Sequence, residues 1–333
     1  MSSIIRLMSK VAFHLSMNHY HKTLNPSLPR YIQIEHTVRC NLNCHICCRK
    51  HVISPSQKQD MTLSEIEKIM DFFPGISAVK LQGLGEPLMH PQLASILEKF
   101  KARSIKTLIV SNGTLLEDSQ MRKLVLDNVF DIGVSLDGIS KDSAEMMRPG
   151  IDWDSVTQGI AQLVSERRRN KSRLIIGINF VFTYKNMRDL ERFAEFAIRM
   201  GVDYVCVKAV ANWAAPADDW YAKAKEVVAL TKDKRAEMDR LAMKLFFVLM
   251  SKGVGMLYKN DISRLGRCCW PFNSLFIMVN GDIAPCCIRR NSLGNVFSGM
   301  KFEEIWNSNA YCELRRVHLD ADTTYEICGK CPD

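Results

Sequence analysis

The chain has 333 residues, 47% of them hydrophobic, with twelve cysteines and a formal net charge of +9. That length suits one large α/β domain plus a smaller one, and the apolar content excludes a disordered chain. No apolar run is long enough to span a bilayer and the N-terminus lacks a secretory signal, so the cysteines argue for metal sites in a reducing cytoplasm rather than a disulfide framework.

The first segment, residues 1–30, holds an amphipathic helix over 1–27, with Arg6, Lys10 and Lys22 and no acidic residue. Ile4, Met8, Val11 and Leu15 fall at helical spacing. Contact with an anionic membrane surface is one reading of it. A helix packed over the edge of the main domain is the preferred one.

From residue 31 to 212, strands and helices alternate. Tyr31–Thr37 is a strand that feeds a cysteine loop. Thr62–Phe73 is a helix with Thr62 as N-cap and Glu65 three residues on. Val79–Gln82 is a strand, Pro91–Ala102 a helix, Thr107–Ser111 a strand and Ser119–Asp127 a helix. Asp131–Leu136, Leu174–Val181 and Tyr204–Val210 complete six strands, with helices over Ser155–Arg168 and Met187–Met200 between them. Repeated β-then-α units imply parallel strands joined by right-handed crossovers. The basic run Arg167–Arg173 reads as a solvated helix end rather than a nucleic-acid surface, since no aromatic platform accompanies it.

Residues 213–262 read as a helical connector, with Phe246–Met250 as a core patch. In residues 263–333, Ser274–Val279 is a strand, Asn280-Gly281 signals a type I′ hairpin, and a helix follows around Phe302–Asn307.

The chemistry concentrates in Cys40-Asn41-Leu42-Asn43-Cys44-His45-Ile46-Cys47. Three thiolates in one short loop can hold three irons of a four-iron cluster and leave the fourth open to a ligand. Structural zinc and buried inert thiols are the alternatives. Some forty residues on, an apolar strand runs into Gly83-Leu84-Gly85-Glu86-Pro87. Cysteine spacing and glycine motif together resemble the radical SAM superfamily. That resemblance implies a partial (β/α)6 barrel with function gathered at the C-terminal strand ends. It also implies that Cys40, Cys44 and Cys47 ligate a 4Fe-4S cluster whose open iron chelates S-adenosylmethionine (SAM). Electron transfer then yields a 5′-deoxyadenosyl radical. Gly83, Gly85, Glu86 and Pro87 correspond to the motif that meets the SAM amino group, where glycines let the main chain come close. Ile46 stands where relatives place an aromatic residue against adenine. Ser111, Asn112, Ser135, Asp137 and Arg148 correspond to positions near the SAM carboxylate and ribose. Cys48 is read as a non-ligand.

The last quarter holds Cys268, Cys269, Cys286, Cys287, Cys312, Cys328 and Cys331. A hairpin with a cysteine on each side and a terminal Cys-x2-Cys resembles the SPASM, or shorter Twitch, extension of radical SAM proteins. The resemblance implies a second, auxiliary 4Fe-4S cluster, with Cys268, Cys286, Cys328 and Cys331 as ligands and the pair Cys269 and Cys287 as the alternative. Zinc is the chemical rival. The expected activity is hydrogen abstraction from a small molecule by an oxidoreductase or transformase fed by a reducing partner such as flavodoxin or ferredoxin. Modification of a ribosomally made peptide is the alternative, and a non-catalytic iron–sulfur electron carrier the rival from another class. No residue is singled out as catalytic acid, base or radical.

Overall fold

The computed structural model describes residues 23–54, 56–183, 185–209, 232–259 and 268–319. The N-terminal helix expected over residues 1–27, the tryptophans Trp213 and Trp220 of the connector, and the terminal pair Cys328 and Cys331 therefore lie largely or wholly outside the described residues.

In chain order the elements are β1 (Tyr31–Ile34), α1 (Arg49–Val52), α2 (Leu63–Phe72), β2 (Ala78–Leu81), α3 (Leu93–Ala102), β3 (Lys106–Ser111) and α4 (Ser119–Asn128). They continue with β4 (Asp131–Ser135), α5 (Lys141–Met147), α6 (Trp153–Arg169), β5 (Ile175–Phe182), α7 (Leu190–Met200), β6 (Tyr204–Ala209), α8 (Lys232–Ser251) and β7 (Gly255–Lys259). The last are α9 (Trp270–Asn273), β8 (Phe276–Ile277), β9 (Asp282–Ala284), β10 (Gly294–Asn295), α10 (Phe302–Trp306) and α11 (Asn309–Leu319).

These elements form two compact units. The first comprises, among the described residues, 40–52 and 109–259. Its strands β4, β5, β6 and β7 pair in that order, all parallel, with Asp131 opposite Ile175, Gly177 opposite Tyr204, and Tyr204 opposite Gly255. The strands are apolar because helices cover the sheet, so β5 is buried along nearly its whole length. On α7, Leu190, Phe193, Ala194, Phe196 and Ala197 form the buried stripe, and Phe193 meets Phe180 of β5 at 4.7 Å between ring centroids. Gly201, at φ +70°, ends that helix.

The second unit comprises 23–39, 53–108 and 268–319. Its strand order is β10-β9-β8-β1-β2, with β3 shared in sequence between the units. Strand β1 has parallel neighbours on both sides: Tyr31 lies opposite Ala78, and Gln33 opposite Phe276. The short strands β8, β9 and β10 are antiparallel to one another. Thr62 caps α2 in a capping box with Glu65, as the sequence pattern predicts. At its other end this unit closes on Trp306 and Tyr311, whose ring centroids lie 5.0 Å apart and 4.3 Å and 5.1 Å from the buried Arg315 guanidinium.

Four expectations are corrected. A seventh parallel strand, β7, lies within the stretch read as a helical connector. Of the apolar run Phe246–Met250 on α8, only Leu249 is buried; Phe247 is 64% exposed, and Phe246, Val248 and Met250 are also exposed. The helix buries Met238, Ala242, Leu245 and Leu249 instead, a spacing that marks one face, and five consecutive apolar residues necessarily overrun it. In the basic run after α6, Arg167 is not solvated: it is 2% exposed and ion-paired with buried Asp203, whose carboxylate also accepts the Ile176 N–H at 2.9 Å. The hairpin between β8 and β9 is not type I′. Of Asn280 and Gly281 only the glycine has positive φ, +87°, and its N–H donates to Met278 O at 2.8 Å, the pattern of a longer loop closed by a left-handed glycine.

Candidate metal centre

The chain leaves β1 after Ile34, and the cysteine loop belongs to the first unit from Cys40 onward. Its backbone is tied to the end of α5 and the segment after it: the His45 N–H donates to Met147 O and the Asn43 N–H to Pro149 O, both at 3.4 Å. Cys40, Cys44 and Cys47 are each partly exposed, whereas Cys48 is buried and its carbonyl accepts the Val52 N–H. Every one of the three sulfurs has an N–H donor aimed at it. Asn112 Nδ2 lies 4.0 Å from Cys40 Sγ, Arg148 Nη1 lies 3.9 Å from Cys44 Sγ, and the Arg49 amide lies 3.5 Å from Cys47 Sγ. Burial pushes the Cys44 thiol up to about 11; Arg148 opposes that rise, while the Cys47 and Cys40 thiols add to it, which places all three in one electrostatic neighbourhood. Such donors suit anionic thiolates of the kind that hold iron–sulfur clusters. Among the described residues, no three His, Cys, Asp or Glu side chains converge on a position for a single metal ion. Three thiols from one loop, each with its own N–H donor, are a donor set that fits an iron–sulfur cluster.

Arg148 owes its place to Asp137. Its Nε and Nη2 both reach Asp137 Oδ2 at 2.7 Å, while Asp137 Oδ1 accepts the Val181 N–H at 2.8 Å. Asp137 is fully buried, and its backbone carbonyl accepts from Asn186 Nδ2 at 2.9 Å. Burial alone would lower the guanidinium's pKa, but Asp137 and then Cys44 outweigh it and raise it, so Arg148 is a fixed cation. Asp137, expected near ribose, spends its carboxylate inside the protein and reaches the sulfurs through Arg148. Asn112 is bound to the loop by Nδ2 to Asn41 Oδ1 at 2.9 Å, and its Oδ1 accepts the Thr114 N–H at 3.0 Å. Ser111 is buried with its Oγ accepting the Gly113 N–H at 2.9 Å, which is turn chemistry. Ser135 ends β4 and is half-buried, as is Ile46 in the cysteine loop.

The glycine motif lies in the second unit. A Cβ at Gly83 would collide with the Glu35 side chain, and one at Gly85 would fall on the Thr37 carbonyl and within 2.8 Å of Arg39 O. These glycines thus admit the protein's own chain, the segment running from β1 to the cysteines, in addition to whatever they admit from outside. Glu86 is buried; its N–H donates to Arg39 O at 2.6 Å and its Oε1 accepts the Leu88 N–H at 3.1 Å. Pro87 opens a short 3-10 turn, and its carbonyl lies 3.2 Å from His36 Nε2. His36 stacks on His90 at 5.1 Å, and burial, then His90, lowers its pKa to about 3.

In the same unit Cys268 and Cys286 stand in one electrostatic neighbourhood. Burial, then Cys287, then Cys268 push the Cys286 thiol far up, against the N–H donors of the following turn, of which the Arg289 N–H lies 3.4 Å from Cys286 Sγ. Cys287, which acts on that thiol more strongly than Cys268 does, also packs against the apolar group of Phe276, Met278 and Ala284. Cys269 sits at the N-cap of α9 with no side-chain cap bond, and Cys312 lies 3.6 Å from Asn307 O.

Sequence reasoning passed over Glu35, Arg290 and the His36–His90 pair. Only Glu35 left a signal, as a lone acid at the end of an apolar strand.

Comparison with known proteins accords with this chemistry. Residues 34–197 match the radical SAM superfamily, and the chain belongs to it. Residues 268–332 match the SPASM iron–sulfur cluster-binding domain. Four-iron clusters and SAM are the cofactors that these two assignments imply. The chain is 28% identical over 187 residues to the tungsten-containing aldehyde ferredoxin oxidoreductase cofactor-modifying protein of Pyrococcus furiosus, covering 54% of this chain and 51% of the relative. It is 23% identical to the antilisterial bacteriocin subtilosin biosynthesis protein AlbA of Bacillus subtilis, covering 92% of this chain and 65% of AlbA. The chain thus spans between half and two thirds of the length of these relatives. Among solved structures it resembles Streptococcus suis SuiB bound to precursor peptide SuiA, with a TM-score of 0.69 at 17% identity, covering 98% of this chain and 73% of SuiB. That likeness establishes the shared α/β fold, for which the partial barrel is the expected form. No helix among the described residues is long and apolar enough to cross a membrane.

Proposed function

We propose that this radical SAM enzyme modifies a ribosomally made peptide or protein, with Cys40, Cys44 and Cys47 holding the SAM-binding cluster and the segment 263–333 holding an auxiliary one. The observation that carries the cluster assignment is the set of three partly exposed thiols, each with its own N–H donor. Cys40, Cys44 and Cys47 would hold the first cluster, which would supply one-electron reduction of SAM and, through it, hydrogen abstraction from unactivated carbon. The chain's own residues set the conditions. Arg148 and Asn112 stabilise thiolate charge, Asp137 keeps Arg148 charged and aimed, and Gly83–Pro87 forms the turn that meets the amino end of SAM.

The peptide reading replaces the small-molecule one as the leading reading. Its support is that AlbA, matched over 92% of this chain, is named for bacteriocin biosynthesis, that the mycofactocin maturase MftC of Mycobacterium tuberculosis is matched over 89% of it, and that structural neighbours were solved with bound peptides. The reducing partner remains of the flavodoxin or ferredoxin kind, small and low in potential.

The test is anaerobic. Reduced, iron-reconstituted protein is incubated with SAM, alone and with short peptides encoded beside the gene. Formation of 5′-deoxyadenosine together with a mass change in one peptide is the expected result. Cleavage that responds only to a sugar alcohol or amine would return the reading to small molecules, and no 5′-deoxyadenosine at all would leave an electron carrier.

A further inference from the structure

Glu35 is the residue after β1, and its carboxylate is fully buried. Three donors converge on it. Arg290 reaches it with Nη1 at 2.9 Å from Oε2 and Nη2 at 2.6 Å from Oε1, and the Leu84 N–H donates to Oε2 at 2.9 Å. Arg290 is 255 residues away in sequence and four residues after Cys286. Its guanidinium also lies 5.5 Å from the ring centroid of Phe276 on β8. The Glu35 backbone is fixed from the same side, since its N–H donates to Ile277 O at 2.8 Å. Leu84 is the middle residue of Gly83-Leu84-Gly85, and Gly83 is the residue whose missing side chain leaves room for Glu35. One carboxylate thus joins the turn assigned to SAM with the loop that carries Cys286.

A buried carboxylate held by a two-pronged guanidinium is costly to leave half-made, so the pair is formed fully or its surroundings rearrange. The loop from Cys286 to Arg290 is short, and the Arg289 N–H is already turned towards Cys286 Sγ. Whatever fixes Cys286 therefore fixes where Arg290 is delivered.

We infer that Glu35 and Arg290 are positioning residues that make SAM binding at Gly83–Glu86 depend on occupancy of the auxiliary site at Cys286. The inference rests on the SAM-binding reading given above. Two sites that share one clamp are coupled in both directions, and the usual strength of such coupling is about 5- to 150-fold in affinity.

The experiment uses the full-length protein with Glu35→Gln, Arg290→Met and Cys286→Ala, singly and with Arg290→Met and Cys286→Ala combined. Glu35→Gln keeps an oxygen for the Leu84 N–H but removes the charge that Arg290 needs. SAM affinity is measured by equilibrium dialysis on anaerobically reconstituted protein, with iron counted for each variant. The expected result is roughly tenfold or greater weakening in Arg290→Met with wild-type iron content, similar weakening in Cys286→Ala, and no further loss in the double variant. Hydrogen exchange at residues 81–87 supplies a readout in cluster-free protein, where Leu84 should exchange faster in Arg290→Met and Glu35→Gln. Wild-type affinity in a folded, iron-replete Arg290→Met protein overturns the inference, and so do additive losses in the double variant. Should Arg290→Met fail to fold, Glu35→Gln and the exchange measurement decide in the same way. Failure of the wild-type protein to bind SAM overturns the SAM reading instead and leaves the exchange result standing on its own.

Discussion

Replacing Arg148 with methionine tests the arrangement around the first cluster site most directly. Methionine keeps an unbranched apolar stem, shorter than arginine's, and removes every donor. Asp137, with no exposed surface, would lose both 2.7 Å bonds on Oδ2 and keep only the Val181 N–H on Oδ1. Breaking one partner out of a buried pair costs about 3–5 kcal/mol. The surviving bond places this case at the lower end, about 3 kcal/mol, or on the order of a hundredfold in the folding equilibrium. The assay is urea unfolding of reduced, cluster-free protein for Arg148→Met, Asp137→Asn and the double variant. The double variant should cost clearly less than the sum of the two singles, because the second change no longer strands a charge. A single-variant loss below about 1 kcal/mol, or strict additivity, would refute the claim that Asp137 holds Arg148 in place. In the reconstituted protein the same variant should load less iron, since Cys44 loses its donor and its thiol moves further up.

Three further outcomes are expected. His36 is neutral when folded, with a pKa of about 3 against an ordinary 6.5, so the unfolded chain takes up a proton that the folded one refuses; stability should fall as pH drops below 6.5, by about 2 kcal/mol at pH 5, and urea midpoints at pH 7 and pH 5 should differ less in His36→Gln than in the wild type. Gly85→Val places a branched side chain on the Thr37 and Arg39 carbonyls beside Cys40, so both iron content and SAM binding should fall, and full retention of both would show the turn to be tolerant. Cys286→Ala should lose about half of the bound iron, while Cys287→Ala should keep it and lose only packing against Phe276 and Met278, as read by iron-to-protein ratio and thermal midpoint.

The parts legible in sequence were those written in short stretches. The loop Cys40–Cys47, the turn Gly83–Pro87 and the cap at Thr62 each declare themselves within a few residues, because metal ligation and turn geometry demand particular residues at particular spacings. The parts that escaped are those in which distance along the chain hides the partner. Nothing near Arg290 announces Glu35, and nothing in the run Arg167–Arg169 says that its first member is buried on Asp203. Strand β7 was hidden for another reason: Gly253-Val254-Gly255 interrupts any alternation, and its pairing with β6 supplies what its own composition does not. The exposed side of α8 shows the limit of composition, since Phe247 belongs to the same apolar run as Leu249 yet points the other way.

Strand β1 pairs on one side with β2, close by in the chain, and on the other with β8 from the last quarter. A ribosome therefore releases β1 long before its second neighbour exists, and the edge from Gln33 to Ile34 must wait for Phe276 and Ile277. During that interval an apolar strand that leads directly into the cysteine loop is open to any other strand that arrives first. The last step of this unit's folding thus follows the synthesis of β8. Cutting the chain before residue 268 would not isolate a simpler enzyme but would leave that edge bare, and such a fragment should aggregate.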